Sequence, residues 1–75
     1  MKLVEQRNGK ITRKWIKKNF PHGYVVITYN AHLDLSKAFY FRENEDEAYD
    51  FLYVLADGNP YAVLYYDGKA LTENT

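Results

Sequence analysis

The sequence predicts an α+β fold, a small antiparallel β-sheet of four to six strands with one α-helix packed on one face. Three observations carry this expectation. Residues 45–56 follow a capped helical pattern, and residues 24–30 and 61–66 are runs of β-branched and aromatic side chains. Asn8-Gly9 and Asp67-Gly68 are two-residue hairpin signals, because a type I′ turn needs positive φ at both central positions.

At the N-terminus, Asn8-Gly9 predicts a hairpin pairing residues 3–7 with 10–16. Val4, Gln6, Ile11 and Trp15 would then point to one face. A competing reading makes residues 12–20 a short helix, since Ile11/Trp15 and Ile16/Phe20 are spaced four apart. Arg13 and Lys14 would then lie at the positive end of the helix dipole, which favours the hairpin. Phe20-Pro21-His22-Gly23 ends either element.

Residues 24–30 (YVVITYN) read as a buried strand and 37–42 (KAFYFR) as its hairpin partner, with 31–36 as the connection. Phe39 and Phe41 would face one side, Ala38 and Tyr40 the other. Asn44 is the expected N-cap of the helix, with Glu47 three residues on as a capping box. Glu45, Asp46 and Glu47 suit the positive end of its dipole, and Ala48, Phe51, Leu52 and Leu55 form a core-facing stripe. Gly58 and Pro60 are stop signals. Residues 61–66 and 69–72 form a last hairpin around Asp67-Gly68, and 73–75 are an expected frayed tail. The predicted order is β-β-β-β-α-β-β in one domain spanning residues 1–75: a basic hairpin over 1–22 and a sheet-helix-sheet body over 23–72.

Size limits what else the chain holds. A chain of 75 residues buries roughly 60–65% of the surface its unfolded form exposes, so one core is all it can build. Without cysteine there is no disulfide and no thiolate metal site, so packing alone must hold the fold. Absence of disulfides, of an apolar leader after Met1 and of any apolar run approaching ~20 residues sets the expectation of a cytoplasmic protein with no membrane contact.

The net charge of zero conceals a division. Residues 1–22 carry seven cations against one anion; residues 23–75 carry three cations against nine anions. Such asymmetry points to a charged partner without naming the pole that meets it.

No catalytic or cofactor motif is visible. Ser36 is the lone serine and lies outside any G-x-S-x-G context; His32 and Asp34 are two apart with nothing around them to build a site. His22 sits in a Pro-Gly loop. The two histidines match no zinc spacing, and the carboxylates from Glu43 to Glu47 lack the order of a calcium loop. The expectation is a protein that is not an enzyme and uses neither cofactor nor metal.

Three features suit binding. The acidic residues Glu43, Glu45, Asp46 and Asp50, with Asp57 and Asp67 as further candidates beside them, would present carboxylates to a basic surface, in the manner of nucleic-acid phosphates. Eight tyrosines are many for this length, and tyrosine is enriched in contact hot spots. With Ile27, Phe39, Phe41 and Leu64 turned to the helix, Tyr40, Tyr61 and Tyr65 would lie on an open opposite face, and Tyr49 and Tyr53 would extend the surface along the helix. The third feature is the basic stretch with Arg13, Lys14, Trp15, Lys17 and Lys18, which suits phosphates and base stacking.

The leading expectation is a protein-interaction module, an inhibitor or adaptor acting by surface blockade. Its partner would be a protein, of the kind that has a basic or nucleic-acid-binding surface. Nucleic-acid binding through residues 10–18 is the alternative, and head-to-tail pairing of two copies a third. In size, tyrosine and acidic content and lack of a catalytic motif, the chain resembles the compact host-takeover or anti-defence proteins of bacteriophages. That resemblance implies action in the host cytoplasm.

Overall fold

A computed structural model describes residues 1–56 and 61–73. The elements are β1 (Lys2–Asn8), α1 (Arg13–Asn19), β2 (Tyr24–Asn30), β3 (Leu35–Arg42), α2 (Glu45–Ala56), β4 (Ala62–Tyr66) and β5 (Lys69–Glu73). The five strands form one antiparallel sheet in the order β1-β3-β2-β4-β5. The α+β class and the antiparallel sheet are as the sequence predicts. The β2–β3 and β4–β5 hairpins are present, and Asp67 and Gly68 take the positive φ values, 50° and 78°, that their turn demands.

The N-terminal segment departs from expectation. Gly9 does turn the chain, at φ 84°, but the chain leaves β1 for a helix rather than a second strand. Its N–H donates to the Asp34 carbonyl at 2.7 Å, and the Ser36 hydroxyl donates to the Gly9 carbonyl. These bonds fasten β1 to β3, pairing Leu3 with Phe39 and Asn8 with Leu35. Thr12, extended at φ −88° and ψ 157°, caps α1 by accepting the Trp15 N–H at 3.2 Å. The order is therefore β-α-β-β-α-β-β, with two helices instead of one.

Magnitudes explain why the helix wins. Arg13 and Lys14 in its first turn cost about 0.3–1 kcal/mol each at most, and Lys17 and Lys18 in its last turn return a similar amount. Full burial of Ile16 contributes about 1.5–3 kcal/mol. One buried isoleucine outweighs the unfavourable charges.

Against the expectation of a single core, the sheet has a core on each face, because α1 and α2 cover opposite sides. On one side Tyr24, Val26, Phe41, Ala62 and Leu64 pack under Ala48 and Leu52 of α2, with Phe39, Tyr49, Phe51 and Tyr66 around them. On the other, Val25, Ile27, Ala38 and Tyr65 pack with Ile11 and Ile16, flanked by Val4, Trp15, Phe20 and Tyr40. Alternation along the central strand β2 assigns Ile27 to the α1 side, not to the α2 side with Phe39, Phe41 and Leu64.

The Asn44 cap forms as expected. Its side-chain oxygen accepts the Glu47 N–H at 3.1 Å, and its amide donates to the Glu47 carboxylate at 3.0 Å. The Asn44 N–H goes to the Phe41 carbonyl, so the reciprocal half of a capping box is replaced by a side-chain bond. The acidic candidate Asp57, the stop signals Gly58 and Pro60 and the tail residues Asn74 and Thr75 lie outside the described residues, as does the Leu55 side chain. Glu73, expected in the tail, ends β5. Among the described residues, no helix is long and apolar enough to cross a membrane.

Candidate functional site

The outward side of α2 brings five of the expected contact residues together. Glu45, Asp46, Tyr49, Asp50 and Tyr53 line a shallow groove of about 550 Å³. Helical spacing produces the arrangement, because 45, 49 and 53 are successive turns and 46 and 50 run beside them. Tyr49 and Tyr53 lie with ring centroids 6.2 Å apart. Tyr53 is 65% exposed and Val54 beside it 74%, so apolar surface adjoins the carboxylates. Asp46 and Asp50 form no ion pair among the described residues. The face can accept cations and cover the aliphatic stems that carry them.

A tyrosine–carboxylate network underlies the start of this helix. Tyr24 and Tyr66, opposite one another on β2 and β4, stack with centroids 4.3 Å apart. The Tyr24 hydroxyl donates to Glu45 and the Tyr66 hydroxyl to Glu43, each at 3.1 Å. Desolvation, then the Glu45 bond and its charge, push the Tyr24 phenol up to about 12. The Tyr66 phenol is raised chiefly by its bond to Glu43 and by the nearby Asp67 charge. Glu45 is thus anchored by the sheet while remaining exposed at the groove. Sequence reasoning named Glu43 only as one of the acidic residues and missed Tyr24 and Tyr66; the register that sets Tyr24 against Tyr66 is the signal that finds them. It also missed Val54, which the i, i+4, i+8 spacing from Asp46 and Asp50 places on the outward side.

The other expected contact tyrosines are scattered. Tyr65 is only 8% exposed, packed in the core beneath α1. Tyr40 is half-buried against Phe20, with centroids 4.7 Å apart, and donates its hydroxyl to the His22 carbonyl at 3.2 Å. Among the described residues, α1 packs over the face that holds Tyr40 and Tyr65, so that face is not open as expected. Tyr61 is exposed, sits edge-on to Tyr29 and does not line the groove.

The residues of the basic reading share α1. Arg13, Lys14, Lys17 and Lys18 are exposed, and Lys14, Lys17 and Lys18 form no ion pair among the described residues. Trp15 is half-buried: it contacts Phe20 at 5.8 Å, and the Arg7 guanidinium lies 5.3 Å from its ring centre. Lys10 similarly lies 5.4 Å from the centre of the Tyr29 ring. The division of charge along the sequence therefore becomes a division in space, with the basic helix on one side of the sheet and the acidic helix on the other.

The remaining candidates resolve into local structure. The Asn30 side chain accepts the His32 and Leu33 N–H groups at 3.0 and 3.2 Å, while Asp34 accepts the Tyr29 hydroxyl at 2.8 Å. That last bond is the main reason the Tyr29 phenol is raised. His32 and Asp34 shape the β2–β3 turn. Among the described residues, no group of three or more His, Asp or Glu is placed to hold a metal ion. A wider cleft of about 900 Å³ is lined by Val4, Phe20, Tyr40 and Arg42, among others, and includes the Met1 ammonium and Glu47, which pair at 2.7 Å.

No known family matches the chain, and neither a characterised protein nor a solved structure does.

Proposed function

We propose that this protein is a non-enzymatic interaction module, an inhibitor or adaptor that covers a basic surface on another protein with the outward side of α2. One observation carries the reading: Glu45, Asp46, Tyr49, Asp50 and Tyr53 converge on one exposed groove, with carboxylates and rings interleaved. The carboxylates steer a basic partner and fix its orientation, since charge acts mainly on encounter rate and specificity. Tyr49, Tyr53 and Val54 supply the surface that, once covered, slows departure. Exposed carboxylates can occupy a basic surface that ordinarily receives nucleic acid, so occupancy by α2 would block it.

The test uses a defined lysine- and arginine-rich peptide, followed by NMR of the labelled protein. Shifts should concentrate on residues 45–54. Asp46→Lys with Asp50→Lys should lower the association rate about tenfold at low salt, while Tyr53→Ala should raise the dissociation rate. Shifts confined to other surfaces would reject the acidic face.

A second reading rests on the exposed lysines of α1. Lys14, Lys17 and Lys18 offer a phosphate-binding face, although the half-buried Trp15 leaves little indole for a base. Here DNA or RNA should bind with affinity falling steeply as salt rises, and Lys17→Ala/Lys18→Ala should flatten that dependence. Absence of binding at low salt would remove this alternative.

A further inference from the structure

We infer that the acidic side of α2 also receives the basic side of α1 from a second copy of this chain, so that copies stack head to tail. The inference rests on α2 being a contact face, as proposed above, and adds a specific occupant.

Charge complementarity identifies that occupant. Lys14, Lys17 and Lys18 project from α1 on one side of the sheet, while Asp46 and Asp50 project from α2 on the other. Among the described residues, Lys14, Lys17, Lys18, Asp46 and Asp50 form no ion pair within one molecule. The whole chain is neutral, so two copies meet without the net repulsion that keeps charged proteins apart.

A second observation supports the same pairing. The chain already seats Arg7 on the Trp15 ring and Lys10 on the Tyr29 ring, at 5.3 and 5.4 Å. Tyr49 and Tyr53 offer the same kind of ring beside Asp46 and Asp50. A lysine from α1 of a neighbour would find a carboxylate and an aromatic face together there.

Geometry then sets the form of assembly. The two faces lie on opposite sides of the sheet, so one neighbour cannot engage both. The contact is heterologous and open-ended, producing stacks instead of a closed dimer. Helices of 7 and 12 residues present short faces, so association is weak and concentration-dependent. Stacking covers the groove, and a foreign partner must compete with it.

Light scattering on the full chain tests this. At about 10 mM salt the average mass should rise about twofold or more on concentration to the millimolar range, and return to monomer near ~0.5 M salt. Asp46→Lys/Asp50→Lys makes the α2 groove basic like α1, and Lys14→Glu/Lys17→Glu/Lys18→Glu makes α1 acidic like α2; each alone should stay monomeric, and their mixture should associate. If charge reversal loosens the short α1, Lys14→Gln/Lys17→Gln should reduce association in the same direction. A monomer at low salt, association indifferent to salt, or a mixture that stays monomeric would overturn the inference. Binding of the basic peptide to α2 by a protein that remains monomeric would overturn it alone and leave the proposed function standing.

Discussion

The Thr12 hydroxyl accepts the backbone N–H of Trp15 at 3.2 Å, and this bond marks where a helix begins in place of a second strand. That first turn is closed by the Ile16 N–H donating to the Thr12 carbonyl at 3.1 Å, and the last turn by the Phe20 N–H donating to the Ile16 carbonyl at 2.7 Å. Removing the hydroxyl should therefore loosen α1 at its first turn. Thr12→Ala should cost about 1 kcal/mol in denaturant unfolding, while Thr12→Ser should retain most of it. Equal stability of the two variants would show that the cap contributes nothing.

Ile16 fixes α1 to the sheet. It is fully buried among the residues that also enclose Val25 and Tyr65. Ile16→Ala should destabilise the protein by about 2–5 kcal/mol, a large part of what so small a domain possesses. Trp15 emission should shift to the red as its surroundings become wetter. Retention of wild-type stability would remove α1 from the core.

Two glycines of similar backbone angle should respond differently to alanine. At Gly23, φ is 90° and an added Cβ would lie 2.7 Å from the Arg42 carbonyl oxygen and 3.0 Å from the Tyr40 hydroxyl. At Gly9, φ is 84° with nothing within 4 Å. Gly9→Ala bears only the left-handed strain, about 1 kcal/mol. Gly23→Ala adds a clash with backbone and should cost more than ~2 kcal/mol, enough to populate the unfolded state at moderate temperature. Thermal melts of the two variants side by side distinguish the contributions.

Alkaline pH should act on the fold through Tyr24. Its phenol ionises near 10 when unfolded and is pushed up to about 12 in the fold, by desolvation first and then by the bond to Glu45. The fold favours the neutral phenol. That contribution is complete below pH 10 and is lost as pH rises from 10 to about 12. Tyr29 and Tyr66, also raised, act in the same direction. Ultraviolet titration should show a fraction of the eight tyrosines ionising late and together with unfolding. Glu45→Gln should move the Tyr24 step to lower pH by removing a neighbouring charge. An unmoved step would show that the Glu45 charge contributes nothing to the shift.

The parts of this fold legible in the sequence are those decided locally. Asn44 three residues before Glu47, the acidic first turn and the spacing of Ala48 and Leu52 are enough to place α2. Asp67-Gly68 is enough to place its turn. Residues 10–20 were not legible in the same way, because their structure depends on distant partners. Nothing near Asn8 says that β1 will pair with β3, and only that pairing frees residues 13–19 to cover Val25, Ile27 and Tyr65. The candidate site divides on the same ground. Glu45, Asp46, Tyr49, Asp50 and Tyr53 share a helix and follow from its period. Tyr40 and Tyr65 depend on what covers the sheet, which their own neighbours in sequence do not reveal.

The placement of α1 and α2 on opposite sides of one sheet has a consequence for approach. A neutral body with opposite charges on its two sides feels little net pull from a distant charged surface, but it does feel a torque. Near a polyanion it would turn α1 inward before touching, and near a polycation α2. Either way the layer it forms would present outward the same sign of charge as the surface it covers. Bound to such a surface, the protein would conserve the sign of its potential while burying the chemistry beneath.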